Sequence, residues 1–423
     1  MSNADDANGN RKLSSAEQAI IEMMKRSQLE GVPIQTHGGA AERHAFWDTQ
    51  PMPRPGQEAA EGPIEPNKPK EEIRQNPYTM PAGFEWADLQ VDNADELKEL
   101  YDLLANNYVE DDDALFRFDY SVEFLKWALT PPGFRTEYLL AVRAVKSRKL
   151  VAFISGVPAK VRVRSKDPTD MVEINFLCVH KKLRAKRLAP VLIKEITRRV
   201  NLDGIFQAVY TAGVVLPVPV ASARYHHRSL NPKKLVSVGF SRLAPRMTLA
   251  RLAKLYKLPV ETSTVGLRPM EAKDVPGVHK ILTAYLAKFK LCVMFSEDDV
   301  GHWLLPREGV IDSYVVASAD GKVTDLCSFY HLPSTILGRD DTLRAAYSYY
   351  NVANSVSWID LMRDCLTLAK QKGADVFNAL NLMENDEFLK ELKFGLGDGN
   401  LQYYIYNWGC PTMEHKEIGI VLL

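Results

Sequence analysis

This 423-residue chain has no long apolar run, no excess of charge of either sign and no paired cysteine motif. No segment approaches the roughly 18 consecutive apolar residues of a membrane span, so integral membrane insertion is not expected. Lys and Arg together number 53, as do Asp and Glu, so no global field draws the chain onto nucleic acid, and none is expected as a partner. The five cysteines (Cys178, Cys292, Cys327, Cys365, Cys410) are scattered and none forms CxxC. That excludes a disulfide framework and a zinc knuckle and agrees with a reducing compartment. The adjacent His226 and His227 have no acid or cysteine at metal spacing, so no metal is expected. The opening MSNADDANGNRKLSS lacks the apolar core of a secretory signal, and the expected location is cytoplasmic.

What is present is ordinary globular composition, 46 % apolar and 25 % charged, over a length that favours two domains. Residues 1–83 read as an arm: a capping box at Ser15–Gln18 opens a short helix, and a Pro/Gly-rich stretch follows. The arm carries one aromatic island, Phe46-Trp47, which suits either an anchor or a ligand-covering lid near 44–50. The body begins near Phe84. Leucines at helical spacing over 95–108, a hairpin over 138–164, a strand over 172–180, a helix over 191–200 and a strand over 205–220 follow in order. A similar order recurs from 267 to 382. The pattern predicts a mixed-sheet α/β protein made of two fused copies with pseudo-twofold symmetry, 84–260 and 261–423. The copies differ between the last strand and its helix: KLRAKRLAP in the first, the cation-free NVANSVSW in the second. Divided labour follows, with an anionic cofactor held by the first copy.

Three places carry chemistry. Lys181, Lys182, Arg184, Lys186 and Arg187 run into a helix expected to start at Ala189-Pro190, and free N–H groups, helix dipole and cations together suit a pyrophosphate. The same cations would also serve as a solvated loop. In the apolar strand EINFLCVHK, Asn175 is the polar exception. Its bland role is to satisfy a bulge, and a bulge would free N–H groups for an oxyanion. Cys178 in the same strand is either a small core residue or a nucleophile. The chain closes on IGIVLL, which reads as a buried strand. Burying it would carry the Leu423 carboxylate inward and make it a better base for an incoming amine, unless the carboxylate stays at the surface. Asp111-Asp112-Asp113 suits a solvated helix end or a subsite for a cationic side chain, and Tyr225-His226-His227-Arg228 suits a substrate contact or plain structure.

EINFLCVHK and KFGLGDG together resemble the two signature segments of the glycylpeptide N-tetradecanoyltransferases, the N-myristoyltransferases. FWDTQP, YVEDDDALFRFDYS, YTAGVVLP, RSLNPKKL, GLRPME and DVFNAL resemble the family too, over residues 44–423. The turn with Arg184, Arg187 and Ala189 resembles the coenzyme A loop of the N-acetyltransferase superfamily, with Arg187 where Gly is usual. The resemblance implies transfer of myristate from myristoyl-CoA to an N-terminal Gly. Ala45, Phe46 and Trp47 would cover the cofactor, and Phe176, Leu177, Cys178 and Val179 would line it. Arg184, Ala185, Lys186, Arg187, Leu188 and Ala189 would hold its phosphates. The N–H groups of Phe176 and Leu177 would form the oxyanion hole, Leu423 would be the base, and Asn175 and Thr211 would lie near the amine. Peptide contacts would fall on Tyr108, Val109, Asp111, Asp113, Phe116, Phe118, Tyr120, Gly213, Tyr225, His227, Ser334, Asp398 and Gly399. The implied partners are N-terminal-glycine peptides and nascent proteins, and a monomer is expected. Ala185 departs from a frequent Ser. The arm lacks the Lys-rich block with which some members approach ribosomes, so ribosome association stays open. Two other readings keep the site: acylation of lysine side chains, and a non-catalytic acyl-CoA-binding adaptor.

Overall fold

Local chemistry sets where most helices start. The helices of eight or more residues are α1 (Ala94–Asn107), α2 (Val122–Leu129), α3 (Leu188–Leu202), α4 (Val275–Leu286), α5 (Glu297–Leu304) and α6 (Trp358–Gln371). Asn93, Ser121, Ser296 and Ser357 stand extended before α1, α2, α5 and α6, and each accepts a first-turn N–H on its side-chain oxygen. α3 has no such cap: Arg187 precedes it with left-handed backbone, φ 54°. The computed structural model describes residues 46–54, 56, 60–108, 115–164 and 166–423. The short helix expected after Ser15 therefore lies outside the described residues.

The strands are β1 (Phe84–Asp88), β2 (Phe116–Phe118), β3 (Leu139–Ala144), β4 (Leu150–Val163), β5 (Thr169–Val179), β6 (Ala208–Ala212), β7 (Ala221–Ser229), β8 (Leu267–Pro269), β9 (Leu291–Val293), β10 (Ile311–Ala317), β11 (Val323–His331), β12 (Ser334–Ile336), β13 (Thr342–Leu343), β14 (Ala345–Ser348), β15 (Val376–Leu380), β16 (Gly395–Tyr406) and β17 (Ile418–Gly419). One sheet runs β1-β3-β4-β5-β6-β16-β7-β15-β14-β11-β10-β8, with β9 against β4 and β17 against β9. From either edge inward the pairing is three antiparallel steps and then one parallel step, β5 with β6 and β14 with β15. The crossover helices are α3 and α6. The two copies expected from sequence are therefore present as topology. At the centre they exchange strands: β16 pairs with β6, and β7 pairs with β15. That exchange makes one continuous sheet of the two copies.

Apolar stripes fix the layers. Leu192, Ile196 and Val200 of α3 pack on Val142, Ile154 and Val172 of the sheet. Leu361, Cys365 and Leu366 of α6 pack on Phe329 and Phe377. Several expectations need correction. α3 begins at Leu188, not Ala189, and Pro190 is its third residue, where its missing N–H is still one of the four without a helical partner. The strand expected over 205–220 is only Ala208–Ala212: beyond it the Val214 carbonyl and the Leu216 N–H are taken by the Tyr404 hydroxyl, and Pro217 and Pro219 have no N–H for a ladder. Within the terminal IGIVLL only Ile418–Gly419 forms a strand, although Ile420, Val421 and Leu422 are buried. The arm is also less detached than expected, since Trp47, Met52 and Ile73 are buried.

Candidate active site

β5 carries the site's central distortion. Phe153 of β4 pairs with Cys178 and Ser155 with Asn175, so Phe176 and Leu177 together face Ile154 and neither has a partner in that register. This is a bulge, and Phe176 takes φ 52° in it. That region is costly for a bulky residue and tends to survive only where surroundings enforce it. Here they do. The Phe176 ring is buried against Tyr108 and Tyr120, with centroids 6.0 and 5.3 Å away.

Asn175 ties the bulge to the chain end. Its Oδ1 accepts the Phe176 N–H at 2.7 Å, and the Tyr108 hydroxyl lies 3.4 Å from the same oxygen. Its Nδ2 donates to a terminal oxygen of Leu423 at 2.5 Å. The tail is held along its length. β17 runs parallel to β9, the Val421 N–H donates to the Tyr350 hydroxyl at 3.0 Å, and the Leu423 N–H donates to Glu173. Gly419 is required there, since a Cβ would meet Phe289 Cδ2 at 2.9 Å. Burial lifts the Glu173 carboxyl to about 7.

β5 and β6 pair only at Val172/Ala208 and Glu173/Val209 and then diverge. The splay leaves about 800 Å³ of space, partly open to solvent, lined by Trp47, Ile174, Asn175, Phe176, Leu177, Ile193, Ile196, Tyr210, Thr211 and Leu216 among others. Trp47 stacks on Tyr210 at 5.9 Å and Tyr210 on Tyr404 at 5.1 Å, while Phe46 meets Trp47 edge-on at 5.2 Å. The aromatic island is thus anchor and wall at once. Trp47 Nε1 and Gln207 Nε2 are buried there without a hydrogen-bond partner.

Beyond the cleft, the cationic loop forms a 3-10 turn, Lys181–Lys186, that delivers Arg187 to α3. Ala185, Lys186 and Arg187 are exposed, whereas Leu188 and Ala189 are buried. Arg184 is partly spent on structure, donating to the Asn107 carbonyl at 2.9 Å, and the Lys181 N–H is fixed by Asn107 Oδ1 at 3.0 Å. With no side-chain cap, the first turn of α3 points its N–H groups and dipole at the same place as these cations. Val179 is buried. Cys178 is buried too, and burial pushes its thiol up to about 12, which keeps it protonated and disfavours the nucleophile reading.

A second hollow, of about 410 Å³, brings together Phe116, Phe118, Tyr225, His227 and Ser334. Phe118 pairs with Ser334 in the small sheet of β2, β12 and β13. Tyr120 is buried between this hollow's aromatics and Phe176. Gly213 follows β6 and lines neither space, and Gly399 is buried in β16 with Asp398 beside it. Ala45, Val109, Asp111 and Asp113 lie outside the described residues. The hollow also uses residues that sequence reasoning missed: Phe240, Tyr347 and Asn378, whose Oδ1 lies 2.7 Å from His227 Nδ1. Asn378 could have been found as the polar exception within the buried strand VFNAL.

An apolar cleft that ends on a strained bulge, beside a cationic helix start, is the arrangement of an acyl-group transferase. Comparison with known proteins narrows this. The profile described as "Myristoyl-CoA:protein N-myristoyltransferase, N-terminal domain" matches residues 63–223, and that of the C-terminal domain matches 237–421. The chain is 57 % identical over 394 residues to glycylpeptide N-tetradecanoyltransferase 1 of Arabidopsis thaliana, covering 90 % of each protein. It is 55 % identical over 399 residues to glycylpeptide N-tetradecanoyltransferase 2 of Bos taurus, covering 94 % of this chain and 80 % of that one. It superposes on the Saccharomyces cerevisiae N-myristoyltransferase crystallised with bound myristoyl-CoA at a TM-score of 0.87 and 40 % identity, covering 91 % of this chain and all of that one. The chain belongs to the myristoyl-CoA:protein N-myristoyltransferase family and is an acyltransferase.

Proposed function

We propose that this enzyme transfers a tetradecanoyl group from myristoyl-CoA to the α-amine of an N-terminal glycine, without an acyl-enzyme intermediate. The acyl chain would lie in the β5/β6 cleft. The coenzyme phosphates would meet Lys186, Arg187 and the α3 N-terminus, and the peptide would enter over the hollow lined by His227 and Ser334. The amine lone pair attacks the thioester carbonyl carbon, the oxygen takes up negative charge, and as the carbonyl re-forms the C–S bond breaks and sulfur leaves as the thiolate of CoA, which then takes from the Leu423 carboxyl the proton the amine gave up. The amine's proton passes to the Leu423 carboxylate, and the Phe176 and Leu177 N–H groups face the oxyanion. Thr211, on the cleft wall, would sit beside the amine. The division of labour between residues 84–260 and 261–423, action in the cytoplasm and action as a monomer on nascent chains belong to the same proposal.

The observation that carries the reading is the Asn175 amide, which spans the bulge and the chain end. One side chain thus couples the oxyanion donors to the base. In the free enzyme Asn175 Oδ1 occupies the Phe176 N–H, and the oxyanion would displace it. The activity is tested by CoA release with a peptide beginning in glycine, beside a peptide beginning in alanine and an N-acetylated peptide carrying lysine. Release confined to the glycine peptide supports the proposal. Equal release with the lysine peptide would replace it with side-chain acylation, and binding without release would leave an adaptor.

A further inference from the structure

The chain is neutral as a whole but not along its length. From Gly204 to Val260 there is no Asp or Glu, while Arg224, Arg228, Lys233, Lys234, Arg242, Arg246, Arg251, Lys254 and Lys257 all fall in that stretch. Much of this charge collects in the connector after Phe240. Arg246, Arg251, Lys254 and Lys257 are exposed, and none forms an ion pair among the described residues. Within the seven-residue helix Leu249–Leu255, which buries no residue, Arg251, Lys254 and Leu255 stand at i, i+3 and i+4 and share one face.

Aliphatic side chains are interleaved with this charge. Of the eight large hydrophobic residues exposed among the described residues, four lie between Phe240 and Gly266, a span whose single acid is Glu261: Leu243 (40 %), Leu255 (42 %), Val260 (77 %) and Val265 (91 %). The segment is nevertheless fastened to the body through its backbone. Lys393 donates to the Leu255 carbonyl, Gln371 to the Val260 carbonyl, and Asp364 accepts the Ser263 and Thr264 N–H groups. Arg228 stacks on Tyr256 at 4.7 Å, and Leu258 is buried. The backbone is held while the apolar and cationic side chains are turned outward.

We propose that this connector is a docking surface for an anionic lipid bilayer. Exposed cations alone would suit any polyanion. Exposed aliphatics among them favour a surface that offers both phosphate charge and hydrocarbon, and they do nothing for nucleic acid, which is gripped through phosphates and aromatic stacking. Phe240, which lines the His227 hollow, leads directly into the patch, so a docked enzyme would hold that hollow close to the bilayer. For an acyltransferase this puts the lipidated product beside the phase into which it partitions.

The test is co-sedimentation of the full chain with phosphatidylcholine vesicles carrying about 30 % phosphatidylserine, and with vesicles lacking it, at roughly 0.15 M ionic strength. Binding is expected only with the anionic lipid. Each cation near such a surface contributes about a fivefold gain, so replacing Arg246, Arg251, Lys254 and Lys257 by Gln should lower partitioning by roughly several hundredfold. A second variant, Leu243→Ser with Leu255→Ser and Val260→Ser, keeps the charge and should weaken binding by roughly tenfold. Both should still release CoA on soluble peptide, which shows they are folded. Failure of the unaltered chain to bind anionic vesicles, or equal binding by the Gln variant, overturns the proposal. Tighter binding to transfer RNA than to vesicles, unchanged in the Ser variant, would also overturn it and assign the patch to nucleic acid.

Discussion

Replacing Asn175 by Asp changes one atom group at the junction of the proposed oxyanion site and base. An acceptor oxygen for the Phe176 N–H is kept. The 2.5 Å donation to Leu423 is lost, and a second carboxylate is set against the terminal one. Two unit charges about 3 Å apart, at an effective dielectric near 20, repel by roughly 5 kcal/mol. The pair avoids this by retaining one proton between its two oxygens, as closely spaced carboxylates do, so its second ionisation shifts up by roughly three to four units. A base that holds its proton at neutral pH cannot take one from the amine. CoA release under saturating acyl donor and glycine peptide should therefore fall about a hundredfold at pH 7. Its acidic limb should move to higher pH, and activity should recover in part as pH rises. Asn175→Ala is the control: it loses the hydrogen bonds to Phe176, Leu423 and Tyr108 without adding charge, should cost about 1–3 kcal/mol of stability, and should leave the acidic limb in place. Wild-type turnover and an unshifted limb in Asn175→Asp would refute the coupling of bulge and terminus.

Two further outcomes follow from the same geometry. Cys178→Ser should keep turnover within a few-fold of wild type, because the buried thiol stays protonated and no acyl-sulfur bond forms, and mass spectrometry of enzyme loaded without peptide should find no covalent adduct. Glu173, lifted by burial from 4.5 to about 7, is protonated more readily in the folded than in the unfolded chain. Stability should thus be greatest below about 4.5 on this group's account, decline as pH rises to about 7, and level off above it. Glu173→Gln removes that decline. Relative to wild type it should gain about 1–3 kcal/mol between pH 5 and 8 in urea unfolding, the side chain being half-buried and partly hydrated.

The parts of the fold legible in the sequence were those written in periodicity. The 138–164 hairpin, the Asn175 strand, α3 and α6 all have apolar spacing that fits one element, and the duplicated order followed from them. Boundaries failed where hydrogen bonding and backbone conformation overrode that spacing: after Ala212 the backbone of Val214 and Leu216 turns to the Tyr404 hydroxyl, and Arg187 starts α3 one residue early by adopting left-handed backbone. The exchange of β7 and β16 was invisible, since nothing local tells a strand which copy it will pair with. The bulge at Phe176 was anticipated from one polar residue in an apolar strand. The partners of Asn175 were not, because the terminal carboxylate and Tyr108 reach it through contacts distant in sequence, as does Tyr350, which holds the tail at Val421. Asn378 was passed over although it carries the same signal as Asn175.

The central claim is that the chain's own terminal carboxylate is the base. Its most direct test is single-turnover CoA release from enzyme preloaded with myristoyl-CoA, on adding glycine peptide to the full chain and to a variant ending at Leu422. Removing one residue withdraws the carboxylate by about 3.3–3.6 Å, beyond reach of the Asn175 amide. The account predicts unchanged acyl-CoA binding and a release rate lower by about 10²–10⁴-fold, the usual contribution of a positioned base. An unchanged single-turnover rate in the shortened chain would contradict it.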